Sequence, residues 1–142
     1  PIPRSLRGLI HVEADSINGT PGEWLRTPRL PNRRPVILYI HGGGFVVGSP
    51  GMERPFIAHL AAATRADAFS VDYRLSPRHR FPAALVDVTK AYLGLLERGI
   101  EPERIVVAGH VEATEVRVST KIGGVLLSRP VDEGDAVSVG SL

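Results

Sequence analysis

The chain has 142 residues, of which 43% are hydrophobic and 23% charged, so it is long and apolar enough for one globular domain and is not of disordered composition. The formal net charge is +2, and the basic residues are scattered rather than grouped along one stripe, which argues against nucleic-acid binding. The chain contains no cysteine, which excludes a disulfide framework, a thiol nucleophile and a cysteine-based zinc site. No metal and no cofactor is expected.

The first elements read as a β-hairpin. Residues 7–14 alternate partly between apolar and polar side chains and predict an antiparallel strand. Asn18-Gly19 is a strong signal for a tight hairpin turn, and a second short strand is expected over residues 23–26. Trp24 lies in that strand and is predicted to cover the sheet.

A short apolar run, Val36 to Ile40, predicts a strand that is buried on both faces. It ends at His41, which is followed by the three glycines 42–44. Glycine weakens a strand and supplies no packing, so three in succession indicate that the backbone approaches something closely. An HGGG-type loop after a strand is typical of the oxyanion hole of lipases and esterases. A glycine-rich turn without a ligand and a phosphate cradle are the alternatives.

Strands and helices then alternate along the chain. Helices are predicted over residues 51–64 and 81–98, and strands over residues 67–72 and 105–108. The second helix is expected to bury an apolar stripe made of Leu85, Val88, Leu93 and Leu96. This order predicts an α/β fold in which an opening hairpin precedes parallel strands joined by crossover helices. In such sheets the site forms at the carboxyl ends of the strands, where His41 and Gly109 both fall.

Three motifs in this order and spacing resemble the hormone-sensitive-lipase group of α/β-hydrolases. They are His41–Phe45, Asp72–Pro77 and Phe81–Leu85. The resemblance implies a carboxylesterase or lipase that acts on short to medium acyl esters, so a small acyl ester is the expected ligand. It also implies that Gly43 and Gly44 of the loop His41, Gly42, Gly43 and Gly44 donate N–H groups to the oxyanion. Asp72, Tyr73 and Arg74 would then support the strand end and its loop.

The resemblance stops after Gly109. The family's next element is a nucleophile elbow with a serine, and Val111 stands at the serine's position. Valine has no nucleophilic atom, and a β-branched side chain fits poorly into an elbow with positive φ. His110, Asp132 and Asp135 are the only nearby substitutes for triad groups, and nothing in their sequence context supports them. The interpretation is therefore a hydrolase domain that is truncated before the elbow and catalytically incompetent.

Residues 110–142 alternate between apolar and polar side chains, with turn signals at Gly123-Gly124 and Gly134-Asp135, as β-hairpins do. They resemble the first half of the biotinyl/lipoyl-like module of membrane-fusion (periplasmic adaptor) proteins. Ordinary strands are the alternative. Lys121 precedes the glycine pair and is not expected to carry biotin or lipoate. The domain prediction is a partial hydrolase domain over residues 1–109 and a β-rich half-module over residues 110–142.

Two further interpretations follow from such a chimera. The chain is either a strand-pairing interaction fragment of an efflux adaptor or a gene-fusion product without a selected function. The apolar strand 105–108 is expected to form a free sheet edge that the tail covers or that causes self-association. No apolar run is long enough to span a bilayer. No signal peptide is visible, but a leader could precede Pro1, so the compartment stays open, with a cytoplasmic location implied if the hydrolase part dominates.

Overall fold

The computed structural model describes residues 2–27 and 34–109. The opening hairpin consists of β1 (His11–Ile17) and β2 (Thr20–Arg26), with Ile17 opposite Thr20. Asn18 and Gly19 have φ angles of 48° and 78°, as a tight turn with two left-handed residues requires. The turn prediction is confirmed, whereas the prediction of a strand over residues 7–14 placed it too early. Residues 4–6 form a short 3₁₀ helix ahead of this region, and the pairing of β1 with β2 begins only at His11.

Three further strands complete a mixed sheet of five in the order β1-β2-β4-β3-β5. They are β3 (Val36–Ile40), β4 (Asp67–Val71) and β5 (Ile105–Gly109). The last three strands are parallel, and β2 joins them antiparallel to β4. The predicted α/β architecture, with a hairpin followed by parallel strands and crossover helices, is thus confirmed for the described residues. The carboxyl ends of β3 and β5 lie side by side, with Ile40 opposite Gly109.

The two helices α1 (Pro50–Thr64) and α2 (Ala83–Glu97) belong to different halves of the core. On one side of the sheet, α1 packs on a cluster that includes Ile37 and Tyr39. On the other side, α2 packs on a cluster that includes Val36 and Leu38. Successive side chains of β3 therefore enter opposite core layers, which is why this strand reads as a continuous apolar run.

The predicted buried stripe of α2 is wrong in part. Leu85 and Leu93 are 58% and 47% exposed. Val88 and Leu96 are half-buried, and the buried positions are Asp87, Ala91, Gly94 and Leu95. A small residue is needed where α2 comes closest to the sheet, because a Cβ atom added at Gly94 would lie 2.3 Å from Ile17 Cγ2. The helix thus approaches the sheet closely at Gly94 and Ala91 and packs Leu95 into the core beside them.

The predictions for the remainder of the chain, at His110, Val111, Lys121, Asp132, Asp135 and the tail as a whole, lie outside the described residues. Within residues 2–27 and 34–109, no helix has the length and apolar character needed to cross a membrane.

Candidate oxyanion site

The candidate site is the loop of residues 41–49, which connects the carboxyl end of β3 to α1. Three consecutive residues, Gly43, Gly44 and Phe45, have φ angles of 117°, 60° and 62°. Their left-handed conformations fold the loop back on itself, so that the N–H groups of Val46 and Val47 both donate to the carbonyl oxygen of Gly43, at 3.0 and 3.1 Å. Only glycine suits position 43, because a Cβ atom there would lie 2.0 Å from the carbonyl oxygen of Val47.

His41 is a buried support of the loop. It is 1% exposed, and its ring stacks on Tyr73 with a centroid distance of 4.1 Å and an interplanar angle of 11°. Its Nδ1 lies 2.9 Å from the carbonyl oxygen of Gly42, so Nδ1 is the nitrogen that carries the proton. The Tyr73 hydroxyl donates to the carbonyl oxygen of His41 at 2.6 Å. These contacts give His41 the geometry of a packing residue rather than that of an exposed acid or base.

Glu53, in the first turn of α1, binds the first glycine of the loop. Its Oε1 accepts the N–H of Gly42 at 3.0 Å, and its Oε2 accepts the hydroxyl of Tyr39. Tyr39 is 2% exposed at the end of β3. Burial and the Glu53 carboxylate together raise the pKa of the Tyr39 phenol far above its usual value. The phenol therefore stays a hydrogen-bond donor over the whole physiological range.

The next two amides have no such partner. Among the described residues, no acceptor is hydrogen-bonded to the N–H of Gly43 or Gly44. Both glycines line a cleft of about 640 Å³, which lies between the loop, Tyr73 and the end of β5 at residues 107–109. The cleft therefore combines two unused backbone donors with largely apolar walls, which is the combination that small-molecule sites use for orientation and affinity.

A second cavity of about 380 Å³ adjoins the first at Gly44 and Phe45. Its walls are mainly apolar and include Val46, Phe81 and Leu85. Phe45, which lines both cavities, is 61% exposed, and Phe81, which lines the second, is 87% exposed.

The three residues expected to support the loop behave differently from one another. Tyr73 bonds to His41, as above. Arg74 donates its backbone N–H, Nε and Nη2 to the carboxylate of Asp87 at 3.0, 2.8 and 2.8 Å, which ties the loop after β4 to α2. Burial by itself would raise the pKa of Asp87, but these bonds from Arg74 bring the pKa below its usual value. Asp72 has an exposed side chain and contributes its N–H, which donates to the carbonyl oxygen of Pro21 at 2.9 Å.

The arrangement suits one kind of chemistry. Backbone N–H groups that are fixed in place stabilise negative charge as it develops on an oxygen during acyl transfer. The described residues that line the cleft include no serine, threonine or lysine. Their two side chains with ionisable groups, His41 and Tyr73, are both buried and bonded to the loop.

Comparison with known proteins agrees with the α/β-hydrolase fold. The family model of the alpha/beta hydrolase fold matches residues 37–111. An acetyl-hydrolase of Streptomyces hygroscopicus is 40% identical over 87 residues, which are 61% of this chain and 28% of the relative. An esterase of Acinetobacter venetianus is 38% identical over 100 residues, which are 70% of this chain and 32% of the relative. The crystal structure of an esterase from the bacterial hormone-sensitive lipase family superposes with a TM-score of 0.69 at 38% identity, covering 77% of this chain and 35% of that one.

The described residues thus form an α/β-hydrolase sheet with a glycine-rich loop at the carboxyl end of β3. The chain belongs to the alpha/beta hydrolase fold family, and it is similar to part of an esterase and to part of a solved esterase from the bacterial hormone-sensitive lipase family. It spans about a third of the length of these relatives.

Sequence reasoning did not single out two residues that the structure places at the site. Glu53 lies 11 residues beyond Gly42, and Asp87 lies 13 residues beyond Arg74. No local pattern signals either contact, because each depends on how a helix docks against the sheet. The only local feature that bears on these contacts is the charge of Asp87, because an acidic side chain is not expected on a helix face that packs on the core.

Proposed function

We propose that residues 41–44 are the oxyanion site of an esterase/lipase-type hydrolase and that the N–H groups of Gly43 and Gly44 bind the carbonyl oxygen of a small acyl ester. The observation that carries this proposal is the division of the three glycine amides. All three glycines line the cleft, but Glu53 accepts the N–H of the first, whereas the N–H groups of the second and third have no acceptor among the described residues. His41 and Tyr73 would hold the loop and would not take part in proton transfer.

We further propose that this polypeptide does not turn over esters. The support is Val111, which lies two residues after the end of β5 and occupies the serine's place in the family's elbow motif. An oxyanion donor lowers the barrier by about 2.7–4 kcal/mol, but it has nothing to stabilise until a nucleophile attacks. In a serine protease, removal of the triad leaves only about 10³–10⁴-fold catalysis over water. The function would then be weak ester binding.

A p-nitrophenyl butyrate assay tests the proposal that this polypeptide does not turn over esters. We expect no turnover above the solution rate and no covalent adduct with a fluorophosphonate probe. Gly43→Ala, whose added Cβ would clash with the backbone of the loop, should leave the rate unchanged. The control Gly51→Ala, whose added Cβ would lie 3.6 Å from its nearest neighbour, should also leave the rate unchanged. Turnover that is lost in Gly43→Ala but kept in Gly51→Ala would show that the cleft is catalytic and that the inactivity proposal is wrong.

A second candidate function is strand-mediated association of two copies. Among the described residues, β5 pairs only with β3, and its Val106 and Val107 are 51% and 56% exposed. β5 carries no charged residue, whereas β1 at the opposite edge has Glu13 and Asp15. Charges on an edge strand discourage pairing with other chains, and β5 lacks this protection. A second copy would pair with β5 and cover both valines.

Light scattering after size-exclusion chromatography tests this association. We expect the molar mass to rise with concentration and Val107→Lys to restore the monomer. Val46→Lys is the matched control, because Val46 is 55% exposed but lies on the loop. A monomer at every concentration would rule out pairing between copies and would favour coverage of β5 by residues 110–142.

The adaptor-like character of residues 110–142 remains a prediction. It supports a third proposal, a fragment that pairs with a transport partner, which a pull-down with and without these residues would test. Loss of capture on their removal is the expected result. If the junction near Gly109 arose by gene fusion without a selected function, sequencing of the locus and its transcript should show segments of two unrelated genes joined at that point.

A further inference from the structure

The side chain of Glu53 is hydrogen-bonded both to Tyr39 near the end of β3 and to Gly42, the first glycine of the loop. The two oxygens of its carboxylate are divided between them, so each has one defined donor. The side chain is held by α1, which begins at Pro50 and packs in the core through Ile57, Ala58 and Ala61. The carboxylate is thus a fixed group rather than a mobile surface charge.

We propose that Glu53 is a positioning residue that limits the site to two donors. It withdraws the N–H of Gly42 from the cleft and thereby leaves Gly43 and Gly44 as the amides that meet an oxyanion. This inference rests on the proposed oxyanion function, but the contact itself does not. Without Glu53, the amide of Gly42 would be a third unused donor, and the left-handed turn that starts at Gly43 would lose its anchor.

In both hydrogen bonds of the Glu53 side chain, the carboxylate is the acceptor. Tyr39 is nearly inaccessible and keeps its proton, and its hydroxyl donates a hydrogen bond to the Glu53 carboxylate. The carboxylate accepts the hydroxyl of Tyr39 on one oxygen and the N–H of Gly42 on the other. A glutamine at position 53 would still offer one carbonyl oxygen to Gly42, whereas an alanine would offer none.

Amide hydrogen exchange by NMR on the full chain with ¹⁵N-labelled glycine tests the contact. We expect the Gly42 amide to exchange about tenfold faster in Glu53→Ala, because a hydrogen bond to a charged acceptor is lost, and to stay protected in Glu53→Gln. The control is Glu97→Ala, which removes a carboxylate at the end of α2. That carboxylate accepts a hydrogen bond from Asn18 Nδ2 in the hairpin turn. If Glu53→Ala does not fold, Glu53→Asp gives the same decision, since a side chain shorter by one methylene cannot reach both partners.

Titration with sodium butyrate then tests the effect on the site. In the unmodified chain, the amide signals of Gly43 and Gly44 should shift and that of Gly42 should not, whereas in Glu53→Ala all three should shift. Unchanged Gly42 exchange in Glu53→Ala, or in Glu53→Asp where that variant takes its place, would overturn the role of Glu53, whatever butyrate does. Protected Gly42 with no butyrate shift at Gly43 or Gly44 would instead overturn the proposed oxyanion function and leave the Glu53 contact standing.

Discussion

Replacement of Gly43 by alanine perturbs the candidate site at its tightest point. Two separate penalties apply there. A φ angle of 117° lies in a region that side chains with a Cβ rarely adopt, at a cost of about 1–2 kcal/mol. The added Cβ would also lie 2.0 Å from the carbonyl oxygen of Val47, which is backbone and cannot rotate away. Forcing an extra methyl group into a packed site costs about 1–3 kcal/mol.

The two penalties sum to about 2–5 kcal/mol, and a chain of this size loses roughly 3 °C in Tm per kcal/mol. Thermal unfolding followed by circular dichroism should therefore show Tm lowered by roughly 6–15 °C in Gly43→Ala. Two other glycines separate the causes. Gly99 has a φ angle of 81° with nothing within 4 Å of its added Cβ, so Gly99→Ala should show the backbone penalty alone.

Gly51 is the control without either penalty. It lies near the start of α1, and its nearest neighbour would be 3.6 Å from the added Cβ. Because alanine favours helix over glycine by up to about 1 kcal/mol, Gly51→Ala should be neutral or slightly stabilising. If Gly43→Ala and Gly99→Ala lower Tm by the same amount, the contact between positions 43 and 47 is absent in solution, and the folded-back path of the loop is refuted.

Two further predictions concern α2. Leu95→Ala should destabilise the chain by about 2–5 kcal/mol in urea unfolding, because Leu95 is fully buried, whereas Leu85→Ala should change the free energy of unfolding little, and equal effects would contradict the observed helix face. The second concerns pH. Burial would raise the pKa of Asp87, but the hydrogen bonds from Arg74 lower it in the folded state. The Asp87 carboxylate therefore contributes fully to stability above its unfolded pKa, and this contribution is lost as the pH falls through its folded pKa. Asp87→Asn should therefore flatten the acid limb of a plot of Tm against pH, and an unchanged acid limb would show that this carboxylate is not linked to folding.

The amino-acid sequence by itself determined the elements whose causes are local. The apolar run predicted β3 at the bounds the structure has, residues 36–40, and Asn18-Gly19 predicted the hairpin turn. Both depend on neighbouring residues only, through side-chain alternation and left-handed backbone preference. The order of elements was also sufficient for the α/β class, because a parallel sheet with short connections leaves few topologies.

Only the tertiary structure decided which helix face is buried and which glycine amides are free. Counting large apolar residues favoured Leu85 and Leu93 on α2, but the helix packs closely against β1 at Gly94, where a Cβ atom would not fit, and so buries Leu95 instead. Likewise, the three glycines are equivalent in sequence, and Glu53 makes them different by binding Gly42 from another element. Such contacts join residues that are distant along the chain, and their partners are fixed by the docking of helix on sheet rather than by any spacing in the sequence.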